Sequence, residues 1–168
     1  VRLYGVIGWK NAGKTGLMER LVREITGRGL TVSTVKHTHH SFDVDQPGKD
    51  SWRHRNAGAS EVILASRNRV AHMIEMRDAP ELRLDQLLAR LAPVDLVLVE
   101  GYKRESHPKI EAFRAGTGNP LIAQDNATVR AVASDTPLVL DRPVFDLNDT
   151  QAITDFILAE VGLARAAE

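Results

Sequence analysis

The residues best suited to chemistry run from Gly8 to Thr15, read as GWKNAGKT. They fit G-x-x-x-x-G-K-[ST], a phosphate-binding loop, and they sit between an apolar run, residues 3–7, and a helical pattern that starts near Thr15. That strand–loop–helix order is the context the motif requires. Gly8 and Gly13 let the backbone curl so that its N–H groups point inward. The amides of Lys10, Asn11, Ala12, Gly13 and Gly16, with the positive end of the following helix, then form a site for a polyphosphate. Lys14 can reach the β- and γ-phosphates, and the Thr15 hydroxyl can ligate Mg²⁺. The competing reading is a chance glycine-rich turn.

A second informative stretch is DLVLVEG, residues 95–101. A buried strand beside the first one ends, in phosphate-loop proteins, in a carboxylate near the metal. Glu100 occupies such an end, and Gly101 suggests a close backbone approach there. Asp50 is the other candidate for the metal shell, where Lys49 and Asp50 could respond to a γ-phosphate; the alternative is a helix cap beside a solvated lysine. His37, His39 and His40, with Asp43 or Asp45, have a spacing that a divalent transition metal could use. Anion or substrate binding by Lys36, His37 and Lys49 is the favoured reading of the same stretch. Tyr102-Lys103-Arg104, and Arg53 with Arg55, could meet an anionic partner or simply be solvated. Asp135 follows a predicted strand, where a carboxylate can accept two hydrogen bonds from guanine, or cap the turn before Pro137. No Asn-Lys-x-Asp guanine motif and no ordered Ser/His/Asp or Cys/His set accompanies these residues.

These residues need a scaffold, and the hydropathy pattern supplies one. The run at 3–7 predicts a buried parallel strand. Leu17, Met18, Leu21, Val22 and Ile25 recur at helical spacing until Gly27 and Gly29. Residues 31–36 alternate and are β-branched, so a right-handed βαβ unit opens the chain. Residues 37–50 form a long polar loop, followed by a short helix over 51–57. Residues 61–65 and 69–76 predict a hairpin, and with it a mixed sheet. A leucine-faced helix spans 82–91, and the apolar 95–100 makes a strand. Further strands are expected at 110–113, 121–123 and 129–133, with weaker ones at 137–140 and 144–145. Asp149 caps a last helix through Ile153, Phe156, Ile157 and Val161.

At 168 residues the chain is expected to be one domain, 1–168, with a real core. Its net charge is +0, so no overall field draws it to nucleic acid or to an anionic membrane. It has no cysteine, which excludes disulfides and thiolate metal sites and is compatible with a reducing cytoplasm. The first apolar run is too short for a signal peptide or a membrane span. The sequence opens with Val rather than Met, so the terminus is expected to be processed or trimmed.

Four stretches together resemble the molybdopterin-guanine dinucleotide biosynthesis protein B (MobB) family. They are GWKNAGKTGLMERLV, VKHTHHSFDVDQPGKDSWRHRNAGA (35–59), DLVLVEGYKRE (95–105) and VRAVASD (129–135). The second, with KHTHH and D-x-P-G-K-D-S, is the most specific. The resemblance implies a SIMIBI-class phosphate-loop GTPase, with a three-layer α/β fold whose mixed, mostly parallel sheet is flanked by helices. It implies a cytoplasmic homodimer that binds GTP with Mg²⁺ and hydrolyses it weakly, assisting GMP attachment to molybdopterin. The implied partners are the guanylyltransferase MobA and the molybdenum-insertion protein MoeA. Gly8, Gly13, Lys14 and Thr15 match the family's nucleotide loop and Glu100 its metal-edge carboxylate. Asp50 resembles the Mg²⁺-proximal aspartate of enzymes such as dethiobiotin synthetase. Two other classes stay open: a small-molecule kinase or ligase, and an adaptor that binds nucleotide or cofactor without hydrolysis.

Overall fold

The computed structural model describes residues 1–38 and 41–164, and they divide into two compact units. The first unit comprises Val1–Thr38 with Leu91–Glu168, and the second His39–Arg90. In chain order the opening elements are β1 (Leu3–Ile7), α1 (Lys14–Gly27) and β2 (Val32–Lys36). The second unit then contributes α2 (Asp50–Asn56), β3 (Glu61–Ala65), β4 (Val70–Ile74) and α3 (Leu84–Leu88). The chain returns to the first unit as β5 (Leu96–Glu100), β6 (Lys109–Phe113), β7 (Val129–Ser134), β8 (Val144–Asp146) and α4 (Thr150–Glu160).

The first unit is built on a six-stranded sheet of order β2-β5-β1-β6-β7-β8. Every pairing within it is parallel. β1 lies between β5 and β6, with Val6 opposite Glu100 on one side and Ile7 opposite Glu111 on the other. Parallel strands require crossovers that cover the faces, so the central strands read as continuous apolar runs. β5, LVLVE, is buried along its whole length. Its Leu96 and Leu98 join Tyr4 and Val6 of β1 and Leu17, Leu21 and Ile25 of α1 in the main core, which Ile153 and Ile157 of α4 complete. A smaller cluster of Ile7, Ala123, Val129 and Val132 packs with Leu121, Ile122, Leu138 and Leu140. Asp149 caps α4 as expected, accepting from the Ala152 amide at 3.1 Å.

The α/β class and the mostly parallel sheet hold, but the hairpin sits elsewhere than the sequence implies. β3 and β4 pair antiparallel, Glu61 with Ile74 and Ala65 with Val70, as a separate two-stranded sheet of the second unit. Local turn chemistry fixes that pairing without deciding what else the strands join. The strand expected over 121–123 is instead a 3₁₀ turn, Ile122–Gln124. The reason is the buried Glu111 carboxylate, which accepts from the amides of Ile122 at 3.0 Å and Ala123 at 2.8 Å and so removes them from any ladder. Residues 137–140 form no strand, and α3 is only five residues long.

Two further polar residues turn inward here, Lys109 at the start of β6 and His107 just before it. Lys109 is fully buried, yet its ammonium donates to the carbonyls of Glu105 and His107 and to Thr128 Oγ1. Burial pushes its pKa down to about 8, against a partial restoring pull from Glu105. His107 lies against Gly5, where a Cβ would come within 2.7 Å of its Nε2. That nitrogen is buried without a hydrogen-bond partner. Burial, and then the neighbouring Lys109 charge, push the imidazole pKa down from 6.5 to about 4. An unfolded chain takes up this proton near pH 6.5 and the folded chain only near pH 4, so stability falls as pH drops through that window. The loss is at most about 1.4 kcal/mol per pH unit. Thermal melts at pH 7.5 and pH 5 should therefore show a larger drop for the native chain than for His107→Gln, and equal drops would refute the assignment.

Candidate functional site

The site begins where β1 ends. Gly8 turns the chain with φ +149°, and a Cβ there would lie 2.4 Å from the Ala112 carbonyl oxygen of β6. Asn11 (φ 64°) and Gly13 (φ 96°) take left-handed conformations, which wind the loop back to α1. The Ala12 amide closes the turn on the Trp9 carbonyl at 3.2 Å. Gly13 opens α1 without a capping side chain, and the first turn of the helix carries no acidic residue. The helix therefore presents its first amides and the positive end of its dipole uncompensated. A cleft of about 330 Å³ lies there, lined by Asn11, Gly13, Lys14, Thr15, Gly16 and Arg114. Lys14 Nζ donates to the Trp9 carbonyl at 2.7 Å. Partial burial lowers the Lys14 pKa; Glu100 opposes that shift, while Lys103 and Lys36 reinforce it.

The ends of β2 and β5 add a second group at the same edge of the sheet. Glu100, 7% exposed, is paired with Lys36 Nζ at 3.0 Å, and the two residues are also register partners. The Glu100 carbonyl accepts from the His37 amide at 3.0 Å. Gly101, with φ +94°, brings the chain within 3.3 Å of His37 Cβ as measured from its own would-be Cβ. The His37 and Tyr102 rings lie 4.9 Å apart. Lys103 then places its ammonium 3.8 Å from the centre of the Trp9 ring, whose Nε1 donates to the Pro120 carbonyl at 2.8 Å. The approach expected of Gly101 is thus real.

Within the first unit the structure brings Gly8 to Gly16, Lys36, His37 and Glu100 to one edge. Asp135, just beyond β7, accepts from the Ala115 amide at 3.0 Å, and so holds the turn after β6 rather than the turn before Pro137. Lys49 and Asp50 belong to the second unit. Lys49 is the residue before α2 and Asp50 its first residue, and neither side chain caps that helix. His39 and His40 lie outside the described residues. Asp43 and Asp45, considered with them as metal ligands, are occupied differently. Asp43 takes a two-pronged bond from Arg55 at 2.9 Å, and Asp45 accepts from Ser51 Oγ at 2.9 Å. The Arg55 guanidinium holds the Asp43 carboxyl down near pKa 2. Among the described residues no group of three or more His, Asp or Glu could hold a metal. Mg²⁺ makes a lighter demand, since it keeps several waters and takes one or two carboxylates with phosphate oxygens. Thr15 and Glu100 fit that lighter demand.

Two features of this edge escaped the sequence reading. Arg114 lines the cleft from the end of β6, and Trp9 anchors the loop at its indole. The only signal for Arg114 was its place one residue beyond a predicted strand, and strand order is needed before that place means anything.

The family model described as Molybdopterin guanine dinucleotide synthesis protein B matches residues 3–135. The chain is 43% identical over 161 residues to the molybdopterin-guanine dinucleotide biosynthesis adapter protein of Escherichia coli (strain K12), covering 94% of this chain and 92% of that protein. It is 43% identical over 159 residues to the protein of that name from Haemophilus influenzae, covering 94% and 88%. A solved MobB protein homolog from Bacillus stearothermophilus superposes with TM-score 0.72 at 32% identity, covering 96% of this chain and 99% of that one.

The approach of Gly8 to β6 leaves no room for a side chain. Gly8→Ala should cost roughly 2–3 kcal/mol of stability, because both the backbone conformation and the Ala112 carbonyl oppose a methyl group. Denaturant unfolding measures this, and an unchanged midpoint would mean that the loop does not depend on that contact.

Proposed function

The chain belongs to the molybdopterin guanine dinucleotide synthesis protein B (MobB) family, and from that premise we propose a GTP-binding, weakly GTP-hydrolysing accessory protein that assists attachment of GMP to molybdopterin. The observation that carries this reading is the uncapped start of α1, which opens onto a cleft lined by Lys14. Backbone amides that lack a side-chain cap, a helix dipole and a partly desolvated ammonium are together suited to a polyphosphate and to little else.

Lys14 is the catalytic residue of the proposal. Its ammonium exchanges the Trp9 carbonyl for the β- and γ-phosphate oxygens and stabilises charge that develops on the γ-phosphate, while the amides of Lys10, Asn11, Gly13 and Gly16 hold the phosphates behind it and the Ala12 amide keeps the turn closed. Thr15 and Glu100, with Asp50, would hold Mg²⁺, which supplies charge neutralisation on the phosphates when bound. Lys36 is the present counter-ion of Glu100 and so is able to release that carboxylate as charge rearranges at the site. His37 and Lys49 are assigned to substrate binding or switching, and Asp135 to the guanine edge. No described residue of the first unit stands out as a water-orienting base, so turnover is expected to be slow.

Molybdopterin, MobA and MoeA are the proposed partners, and a homodimer in the cytoplasm the proposed working form. No described helix is long and apolar enough to cross a membrane. The name that the relatives carry, adapter protein, favours a second reading in which GTP is bound to organise a partner and hydrolysis is incidental. Replacing Glu100 while GTP binding stays intact separates the two: loss of partner stimulation argues for hydrolysis, and its retention for the adaptor.

Calorimetry tests the core of the proposal. GTP should bind more tightly than ATP, and Mg²⁺ should strengthen binding. Lys14→Ala should weaken GTP binding about ten- to a hundredfold, the usual worth of a charge-assisted contact. Unchanged GTP affinity in that variant, or tighter binding of ATP, would overturn the assignment.

A further inference from the structure

Among the described residues, Arg114 is the one cation besides Lys14 that lines the loop's cleft. Its side chain folds over the start of α1. Its Nε and one terminal nitrogen lie 3.2 and 3.4 Å from the position a Cβ would take on Gly13. Among the described residues no side chain pairs with its guanidinium. Several other arginines are engaged, Arg55 with Asp43, Arg28 with Glu24 and Asp155, and Arg130 with Glu160, but none of these lines the cleft. The backbone at Arg114 is tied on both sides. Its carbonyl accepts from the Thr117 amide at 3.1 Å and from Thr117 Oγ1 at 2.9 Å, while the next amide, Ala115, is held by Asp135. The chain thus fixes where this side chain starts and leaves its planar fork of donors facing a cleft built for an anion.

Its place within that cleft also decides which phosphate it meets. In a loop of this type the backbone amides cradle the α- and β-phosphates, and the lysine reaches the β- and γ-phosphates. Arg114 stands by Gly13, the residue that opens α1, in the cleft that Thr15 and Gly16 also line, whereas the Lys14 ammonium points away to the Trp9 carbonyl. We infer that Arg114 is a further nucleotide-binding residue that grips the α- and β-phosphates and makes no contact with the γ-phosphate. The inference rests on the nucleotide reading above and deepens it. The protein holds nucleoside diphosphate and triphosphate through the same guanidinium, and this arginine is not the group that stabilises γ-phosphoryl transfer. The link from Ala115 to Asp135 further ties the position of the phosphate grip to the candidate guanine carboxylate.

The experiment is calorimetric titration of the full chain with GTP and, separately, with GDP, for native protein, Arg114→Ala and Arg114→Lys. Melting curves without nucleotide check that each variant folds, which the exposure of the side chain favours. The expected result is that Arg114→Ala weakens GTP and GDP by the same factor, about ten- to thirtyfold. Arg114→Lys, which keeps the charge and loses the fork, should fall between. Native affinity for both nucleotides in Arg114→Ala overturns this inference alone. A loss confined to GTP also overturns it, because that pattern belongs to a γ-phosphate contact. Native protein that binds neither nucleotide overturns the nucleotide reading and this inference with it.

Discussion

The structure depends on an unfinished helix. α1 begins at Gly13 with no capping side chain and no acidic residue in its first turn, so its amides and dipole are left for something outside the helix. Placing that helix start where it is requires β1 to sit at the centre of a parallel sheet and to end abruptly. Burial of Tyr4, Val6 and Ile7 anchors the strand, and Gly8 lets the chain leave it against the Ala112 carbonyl of β6. The apolar face of α1, formed by Leu17, Leu21 and Ile25, then locks the helix to the sheet. Stability resides in the apolar side chains, and function in the backbone groups that they hold open.

Charge is arranged around that opening. The chain has a net charge of +0, yet Lys14 senses Lys36, Lys103 and Glu100, and Arg114 shares its cleft. Lys103 is held by the Trp9 ring and Lys36 by Glu100, so each cation is stationed before any ligand arrives. A buried carboxylate such as Glu100 is costly without a counter-ion, and Lys36 offsets that cost. Glu111 and Lys109, both on β6, meet that cost with hydrogen bonds instead and serve structure alone. Each is buried with its hydrogen-bonding atoms matched to the backbone, and each fixes a loop beside the sheet. Distinguishing Glu100, at the end of β5, from Glu111, in the middle of β6, requires knowing what each one faces, because both are buried carboxylates on strands adjacent to β1.

The second unit shows how proximity in sequence misleads. Asp43 and Asp45, close to His37, look like additional ligands. Arg55, twelve residues after Asp43, claims that carboxylate instead, and Ser51 turns to Asp45. An arginine fork matches a carboxylate in a geometry that no spacing rule reveals. The hairpin of β3 and β4 is similar. Its pairing is local and was readable, but its isolation from the main sheet depends on where the chain goes before and after it.

By itself the sequence determined the phosphate loop, the βαβ opening, the apolar β5 ending in Glu100, the Asp149 cap and membership of the family. These are local patterns, since periodicity, caps and loop glycines act over a few residues. Tertiary structure alone decided which strands flank β1, that Asp135 holds the turn after β6, that residues 121–124 coil around Glu111, and that Arg114 stands at the start of α1. Those facts join residues far apart in the chain, and the hydrogen bonds and charges that fix them exist only once the parallel sheet has brought its strand ends to one edge.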